Sequence, residues 1–315
     1  GLLPLGIANY EMLGRCASVC GHAAGRTMPR GWSDGVGSLV KGSQHEDPRG
    51  GQCMGSAGVQ GELWGRAADD WASLQEAQHA PFFEAMLNAA GVRDGVRFLD
   101  AGCGGGGASV LARGRGAVVS GLDASAPLID IARGRVSDGD FRVGDLEALP
   151  FADESFDAVI AANSIQYAED RVAALRELAR VSGPEARIAV GLFGASDRVD
   201  FRVVFEAFRD SLPEPPPGDG PFGLSGEGAL EGLVEQAGLN VLESGEVDLP
   251  FVYEDTEVFW RAVISGGPPQ AAKEKVGEVA LKGAVLEAVA PYMTDTGGVR
   301  FSNNAFQYIT ATAGS

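Results

Sequence analysis

Positive charge is scarce in this chain, cysteine scarcer, and no apolar run approaches the length of a membrane span. The 315 residues carry 25 Lys or Arg against 43 Asp or Glu, a formal net charge of -18. Nucleic acids and anionic membranes are bound by neutralising phosphate, so this balance has the wrong sign for either. A spanning helix needs roughly 20 consecutive apolar residues, which no stretch supplies. A soluble, cytoplasmic protein is expected. The four cysteines are Cys16, Cys20, Cys53 and Cys103; they make no disulfide framework. Cys16, Cys20, His22 and Cys53 match no zinc-ligand spacing, so no metal is expected.

What is present suffices for a large core, since 45% of the residues are hydrophobic. Residues 1–53 stand apart: glycine-rich, without apolar period, and carrying +1 (five Lys or Arg against four Asp or Glu). They assemble no secretory signal and read as a disordered or non-native extension. The patterned part, residues 54–315, reads as one domain.

That domain is organised around VRFLDAGCGGGGAS, residues 96–109: an apolar strand ending at Asp100, five glycines between 102 and 107, then a helix start. Glycine is needed where the backbone takes positive φ or closely approaches a ligand, and a helix start directs free N-H groups toward one. Gly102, Gly104 and Gly107 satisfy the G-x-G-x-x-G dinucleotide fingerprint, with Asp123 ending the next apolar run. On that pattern alone a nicotinamide-dependent oxidoreductase fits.

Read from Asp100, D-x-G-x-G-x-G resembles the first motif of class I, Rossmann-like methyltransferases dependent on S-adenosylmethionine (SAM), and three further stretches extend the resemblance. AVVSGLDA (117–124) ends in Asp123 and Ala124, FRVGDLEAL (141–149) supplies Asp145 and Leu146, and PFADESFDAVIAANSIQY (150–167) resembles the segment around the fourth strand. The resemblance covers roughly residues 63–312 and points to the small-molecule methyltransferases of the ubiquinone-biosynthesis type. It implies that Asp100, Gly102 and Gly104 surround the methionine end of SAM, Asp123 takes the ribose hydroxyls, Asp145 and Leu146 read the adenine, and Asn163 reaches the cofactor crevice. Trp64, Ala68 and Trp71 resemble a family element whose second aromatic, here Trp71, covers the methionine end. Each position also has a plainer reading: Asp145 as a turn residue, Asp123 or Ser125 as a helix N-cap, the two tryptophans as core.

Alternating strands near 96–101, 117–122, 140–144, 156–163 and 185–193 with helices between them predict an open, doubly wound α/β sheet. Helices near 61–91 precede it. After the fifth strand, helices are expected at 196–211, at 225–237 (capped by Ser225) and at 255–264, with a long one at 270–292 and strands at 239–249 and 304–312. The resemblance adds a seventh, antiparallel strand, with the insertion between the last two strands lying over the pocket mouth. The acceptor pocket is therefore expected within 195–301, lined by Phe222, Tyr253 and Trp260 with Gln166 and Tyr167 closing it; Phe251 and Tyr253 equally suit packing against the sheet. His79 and Tyr167 are the candidate bases, although a lone His at a helix junction ordinarily caps or faces solvent. The expected function is methyl transfer from SAM to a small-molecule acceptor, against the oxidoreductase and a non-catalytic SAM-binding protein on the same fold.

Overall fold

The computed structural model describes residues 56–215 and 220–314. The readings of residues 1–53, including the Cys16, Cys20, His22 and Cys53 set, lie outside them. Seven strands form one sheet: β1 (Arg97–Ala101), β2 (Val118–Asp123), β3 (Asp140–Val143), β4 (Phe156–Ala162), β5 (Ser182–Phe193), β6 (Leu239–Asp248) and β9 (Ala305–Ala313), in the order β3-β2-β1-β4-β5-β9-β6. The first five are parallel. β9 inserts between β5 and β6, antiparallel to both. This is the doubly wound, mostly parallel sheet expected, with its antiparallel last strand.

Strand alternation divides the core between the two faces. Phe98, Ala158, Ile160 and Ala189 belong to one buried cluster, and Leu99, Val159, Ala161 and Ile188 to the other. The helices α1 (Ala57–Gly65) and α2 (Ala80–Ala89) precede β1, and α3 (Gly107–Gly114), α4 (Ala126–Arg135) and α5 (Arg171–Val181) connect the parallel strands. Their starts follow local chemistry. Ser125 Oγ accepts from the Leu128 N-H at 3.4 Å at the head of α4, so Ser125 and not Asp123 is that cap, and Asp170 accepts from Ala173 at 2.9 Å for α5.

Beyond β5 come α6 (Arg202–Asp210), α7 (Ala229–Gln236), α8 (Thr256–Ile264), α9 (Gly267–Val276) and α10 (Glu278–Ala288). Two expectations are corrected here. The long helix over 270–292 is broken at Gly277, whose φ of +86° lies outside the helical region. Ser225 does not cap α7: Gly228 precedes it, and Ser225 Oγ donates to the Phe193 carbonyl at 2.7 Å. A short ribbon of β7 (Phe251–Tyr253) and β8 (Val299–Phe301) was not anticipated; it ties the two ends of the insertion together. Among the described residues no helix is long and apolar enough to cross a membrane.

Candidate functional site

Between α1 and α2 the chain is not regular helix. A turn at Ala68–Asp70 runs into a π-helical turn, Trp71–Gln75, and then a 3-10 turn, Glu76–His79. Such wide turns recur at functional sites because they re-aim side chains that an α-helix would stack. Here they turn Trp71, Gln75, Glu76 and His79 into a cavity of about 180 Å³ above the carboxyl ends of β1, β2 and β4. Open α/β sheets bind ligands at that edge.

The glycine loop forms its floor. Gly102 (φ +81°) and Gly104 (φ +54°) hold backbone conformations that suit glycine, and neither has room for a side chain: a Cβ on Gly102 would sit 2.2 Å from Ser164 Cβ, and one on Gly104 2.6 Å from Glu76 Oε1. The loop's N-H groups do not all face a ligand, as the strand-turn-helix pattern implied. Gly104 N-H donates to Asp123 Oδ2 at 2.9 Å and Gly105 N-H to Glu76 Oε1 at 2.7 Å. Glu76 Oε2 in turn pairs with Arg135 at 2.7 Å, and Arg135 also donates to the carbonyls of Gly105 and Ala72. Glu76 and Arg135 thus clamp the N-terminal helices to the loop. Neither was found from sequence, because one acid and one Arg on helical stretches carry no spacing signal.

Four carboxylates, Glu76, Asp100, Asp123 and Asp145, line the cavity, and no Lys or Arg does among the described residues. Asp100 accepts from Ser109 Oγ at 2.8 Å, and Asp123 Oδ1 accepts from the Ser125 N-H at 2.9 Å. Burial raises Glu76 to about 7 against the pull of Arg135, and raises Asp100 to about 7 with Asp123 adding repulsion. Asp123 is raised too, again by burial first. Cys103 is a buried thiol, pushed up by the same desolvation, that fills space beside Gly121.

Asn163 takes φ +52°, strained for a residue with a side chain, at the end of β4. Its amide oxygen and that of Gln166 are buried without hydrogen-bond partners among the described residues, and both residues line the cavity. Unmet acceptors of this kind suit a ligand bearing N-H or O-H donors. Trp71 lies edge-on to Trp64 with centroids 4.6 Å apart, and Trp64 meets the Tyr167 ring at 5.5 Å; all three line the cavity with Ala124 and Leu146.

His79 occupies the N-cap position of α2, but its side chain makes no capping bond, and it is not at the surface. Its imidazole is 3% exposed, lies among Phe83, Phe251 and Phe306, and places Nδ1 3.0 Å from the Gln75 carbonyl. A carbonyl only accepts, so Nδ1 carries the proton and Nε2 the lone pair. Burial holds its pKa down at about 4.

The expected acceptor wall is corrected. Tyr253 is buried, its hydroxyl donating to Gln75 Oε1 at 2.7 Å, and Phe251 packs on Phe201. Trp260 packs on the far side of the insertion, its indole N-H 3.2 Å from Glu278. Phe222 stands behind Phe193 and Phe205. The cavity is lined instead by residues that include Phe193, Phe201, Phe205, Val263, Pro268 and Pro269. Part of the insertion, α8 and the start of α9, thus does face the site.

A family described as methyltransferase domain matches residues 99–190, the stretch from the glycine loop through β5. Residues 99–190 thus match a methyltransferase domain. The chain is 35% identical over 142 residues to an uncharacterized protein of Mycobacterium tuberculosis, covering 42% of this chain and 51% of that one. It is 36% identical to the methyltransferase GfsG of Streptomyces halstedii (52% and 60%) and 32% to the malonyl-[acyl-carrier protein] O-methyltransferase of Erwinia billingiae (49% and 60%). The chain thus spans about half the length of its mycobacterial relatives. Its fold is similar to that of the YcgJ protein of Bacillus subtilis (TM-score 0.51, 20% identity, 75% of this chain and 99% of that one). A putative methyltransferase of Bacillus halodurans is as similar in fold (TM-score 0.51, 15%, 74% and 99%).

The two raised carboxyls make the site pH-sensitive. Folded Glu76 and Asp100 hold protons that the unfolded chain releases near 4.5 and 3.8, so their stabilising contribution is complete in acid and is lost as pH rises through about 7. His79 acts in the opposite sense, its contribution being lost only as pH falls from 6.5 to about 4. Above pH 6.5 the carboxyls alone decide the sign. The ligand-free protein is expected to melt at a lower temperature at pH 8 than at pH 6.5; a higher one would exclude buried, protonated carboxyls.

Proposed function

We propose that this protein transfers the methyl group of SAM to a small-molecule acceptor. The observation that carries the reading is the charge of the glycine loop. A dinucleotide's pyrophosphate needs free backbone N-H groups and tolerates no carboxylate cluster. Here Gly104 and Gly105 donate to carboxylates, and the cavity wall carries four acids and, among the described residues, no Lys or Arg. Such a site repels an oxidoreductase's cofactor and attracts one bearing sulfonium and ammonium groups.

The residues present fit SAM. Asp123 keeps a lone pair on each oxygen after its backbone bonds, enough for two ribose hydroxyls, and Asp145, oriented by the Glu147 N-H at 2.9 Å, stands where an adenine amine would be read. Asp100, Gly102, Gly104 and Trp71 would surround the methionine end, with Ala124 and Leu146 against the nucleoside and Asn163 offering its unmet amide oxygen. Bound SAM would supply a methyl group on an excellent leaving group, ready for in-line attack. The protein's task is then alignment in a water-poor space, worth roughly 7–11 kcal/mol when a bimolecular step becomes unimolecular. Phe193, Phe201 and Phe205 would seat the acceptor, with Gln166 and Tyr167 between it and the cofactor.

Asp123→Ala removes a doubly accepting, charge-assisted contact and should cost about 2–3 kcal/mol of SAM binding, roughly 30- to 150-fold in Kd. Calorimetry on the folded variant tests it; an unaltered Kd would remove Asp123 from the site. A matched titration with NADH separates the oxidoreductase, since NADH binding with no response to SAM would reverse the assignment. A non-catalytic relative would bind SAM and methylate nothing in an acceptor screen.

A further inference from the structure

We infer that the acceptor is an uncharged, largely apolar molecule methylated on a hydroxyl oxygen, with the neutral imidazole of His79 receiving the hydroxyl proton. The inference rests on the methyltransferase reading and narrows it to a substrate class.

Charge excludes an anionic acceptor first. Four Asp or Glu side chains lie on the cavity wall and, among the described residues, no Lys or Arg does; Arg135 is spent behind Glu76 on a carboxylate and two carbonyls. A carboxylate or phosphate acceptor would enter without a counter-ion, at a cost that burial magnifies. Phe193, Phe201, Phe205, Val263, Pro268 and Pro269 reward instead the burial of rings and alkyl groups.

Geometry then singles out His79. It lines the same cavity, its ring is wedged between Phe83, Phe251 and Phe306, and its Nδ1-H is committed to Gln75. The lone pair of Nε2 lies across the ring from that bond. In the step proposed, a lone pair of the acceptor oxygen forms the new C-O bond as the C-S bond breaks with its electrons going to sulfur, and the hydroxyl proton passes to Nε2. Charge is conserved within the cavity: one positive charge is lost at sulfur and one appears on the imidazole, where Glu76, Asp100 and Asp123 still face it. A weak base suffices for oxygen, because a hydroxyl becomes strongly acidic once its oxygen is alkylated. A neutral amine attacks through its own lone pair and needs no proton acceptor in the step, so a lone-pair base on the wall of this cavity has a task only when the nucleophile is a hydroxyl.

The test uses the full chain saturated with S-adenosylhomocysteine and three probes sharing one ring system: naphthol, naphthoate and naphthylmethylamine. Calorimetry should find naphthol bound at least about tenfold more tightly than naphthoate. With SAM, the methyl ether of naphthol should form faster than any methylated amine. His79→Asn keeps a donor for the Gln75 carbonyl and removes the base; naphthol affinity should stay within about threefold while ether formation falls by about a hundredfold or more. Equal or tighter binding of naphthoate, faster methylation of the amine, or an undiminished rate in His79→Asn would each overturn the inference. If His79→Asn does not fold, the probe ranking on the parent protein decides. Failure of S-adenosylhomocysteine itself to bind would instead overturn the methyltransferase reading beneath.

Discussion

Gly102→Ala should abolish measurable SAM binding at concentrations that saturate the parent protein, raising Kd by about a hundredfold or more. Two costs combine. At φ +81° an L-residue pays roughly 1–2 kcal/mol, and the new Cβ would fall 2.2 Å from Ser164 Cβ. Neither wall yields cheaply. Ser164 is held by its bond to the Ala101 carbonyl at 2.8 Å, and the Gly102 N-H by the Leu122 carbonyl at 2.7 Å. Relief therefore displaces either the end of β1 or the turn after β4, and both shape the cavity. A loss of about 3 kcal/mol corresponds to the expected hundredfold or so. Gly114→Ala, on α3 with nothing within 4 Å of its would-be Cβ, should leave SAM affinity and melting temperature nearly unchanged. If Gly102→Ala folds and binds SAM as the parent does, the loop is not the cofactor's floor.

Glu76→Ala should lower stability by about 2–4 kcal/mol, lowering the melting temperature by roughly 5–10 °C. The Gly105 N-H, which Glu76 accepts at 2.7 Å, would lose its partner in a buried setting, and Arg135 would lose its counter-charge while still drawn to the Gly105 and Ala72 carbonyls. Because Arg135 is about one-third exposed (32%), water compensates part of that charge, which keeps the figure at the low end of what breaking a buried pair costs. Glu76→Gln retains an acceptor for Gly105 and should lose only about 1 kcal/mol. The clamp also couples the N-terminal helices to the loop, so Glu76→Ala should weaken SAM binding even after correction for unfolded protein. Equal melting temperatures for Glu76→Ala and the parent would mean that the clamp contributes nothing to the fold.

The insertion shows where sequence reasoning stops. Aromatic side chains between 195 and 301 suggested a pocket wall, but composition does not tell a ring that faces a ligand from one that faces the sheet. Phe251, Tyr253 and Trp260 are all core, while Val263, Pro268 and Pro269 face the cavity. Pairing of β7 with β8 across nearly the whole insertion decided this, and it depends on contacts far apart in the chain.

By itself the sequence determined the sheet and which residues its strand ends bring to the cavity. Strand periodicity and glycine placement are local properties, and each strand end delivers its own polar residue, so Asp100, Asp123, Asp145 and Asn163 reach one edge in whatever way the crossovers pack. Only the tertiary structure decided what those acids meet. That the loop's N-H groups go to Asp123 and Glu76, that His79 is a buried neutral imidazole whose side chain caps nothing, and that Arg135 is spent behind the wall all follow from one event: the irregular turn at 71–79 packing onto the glycine loop. Desolvation and charge pairing are set by every atom within a few ångströms, whichever part of the chain supplies it, so no local pattern encodes them.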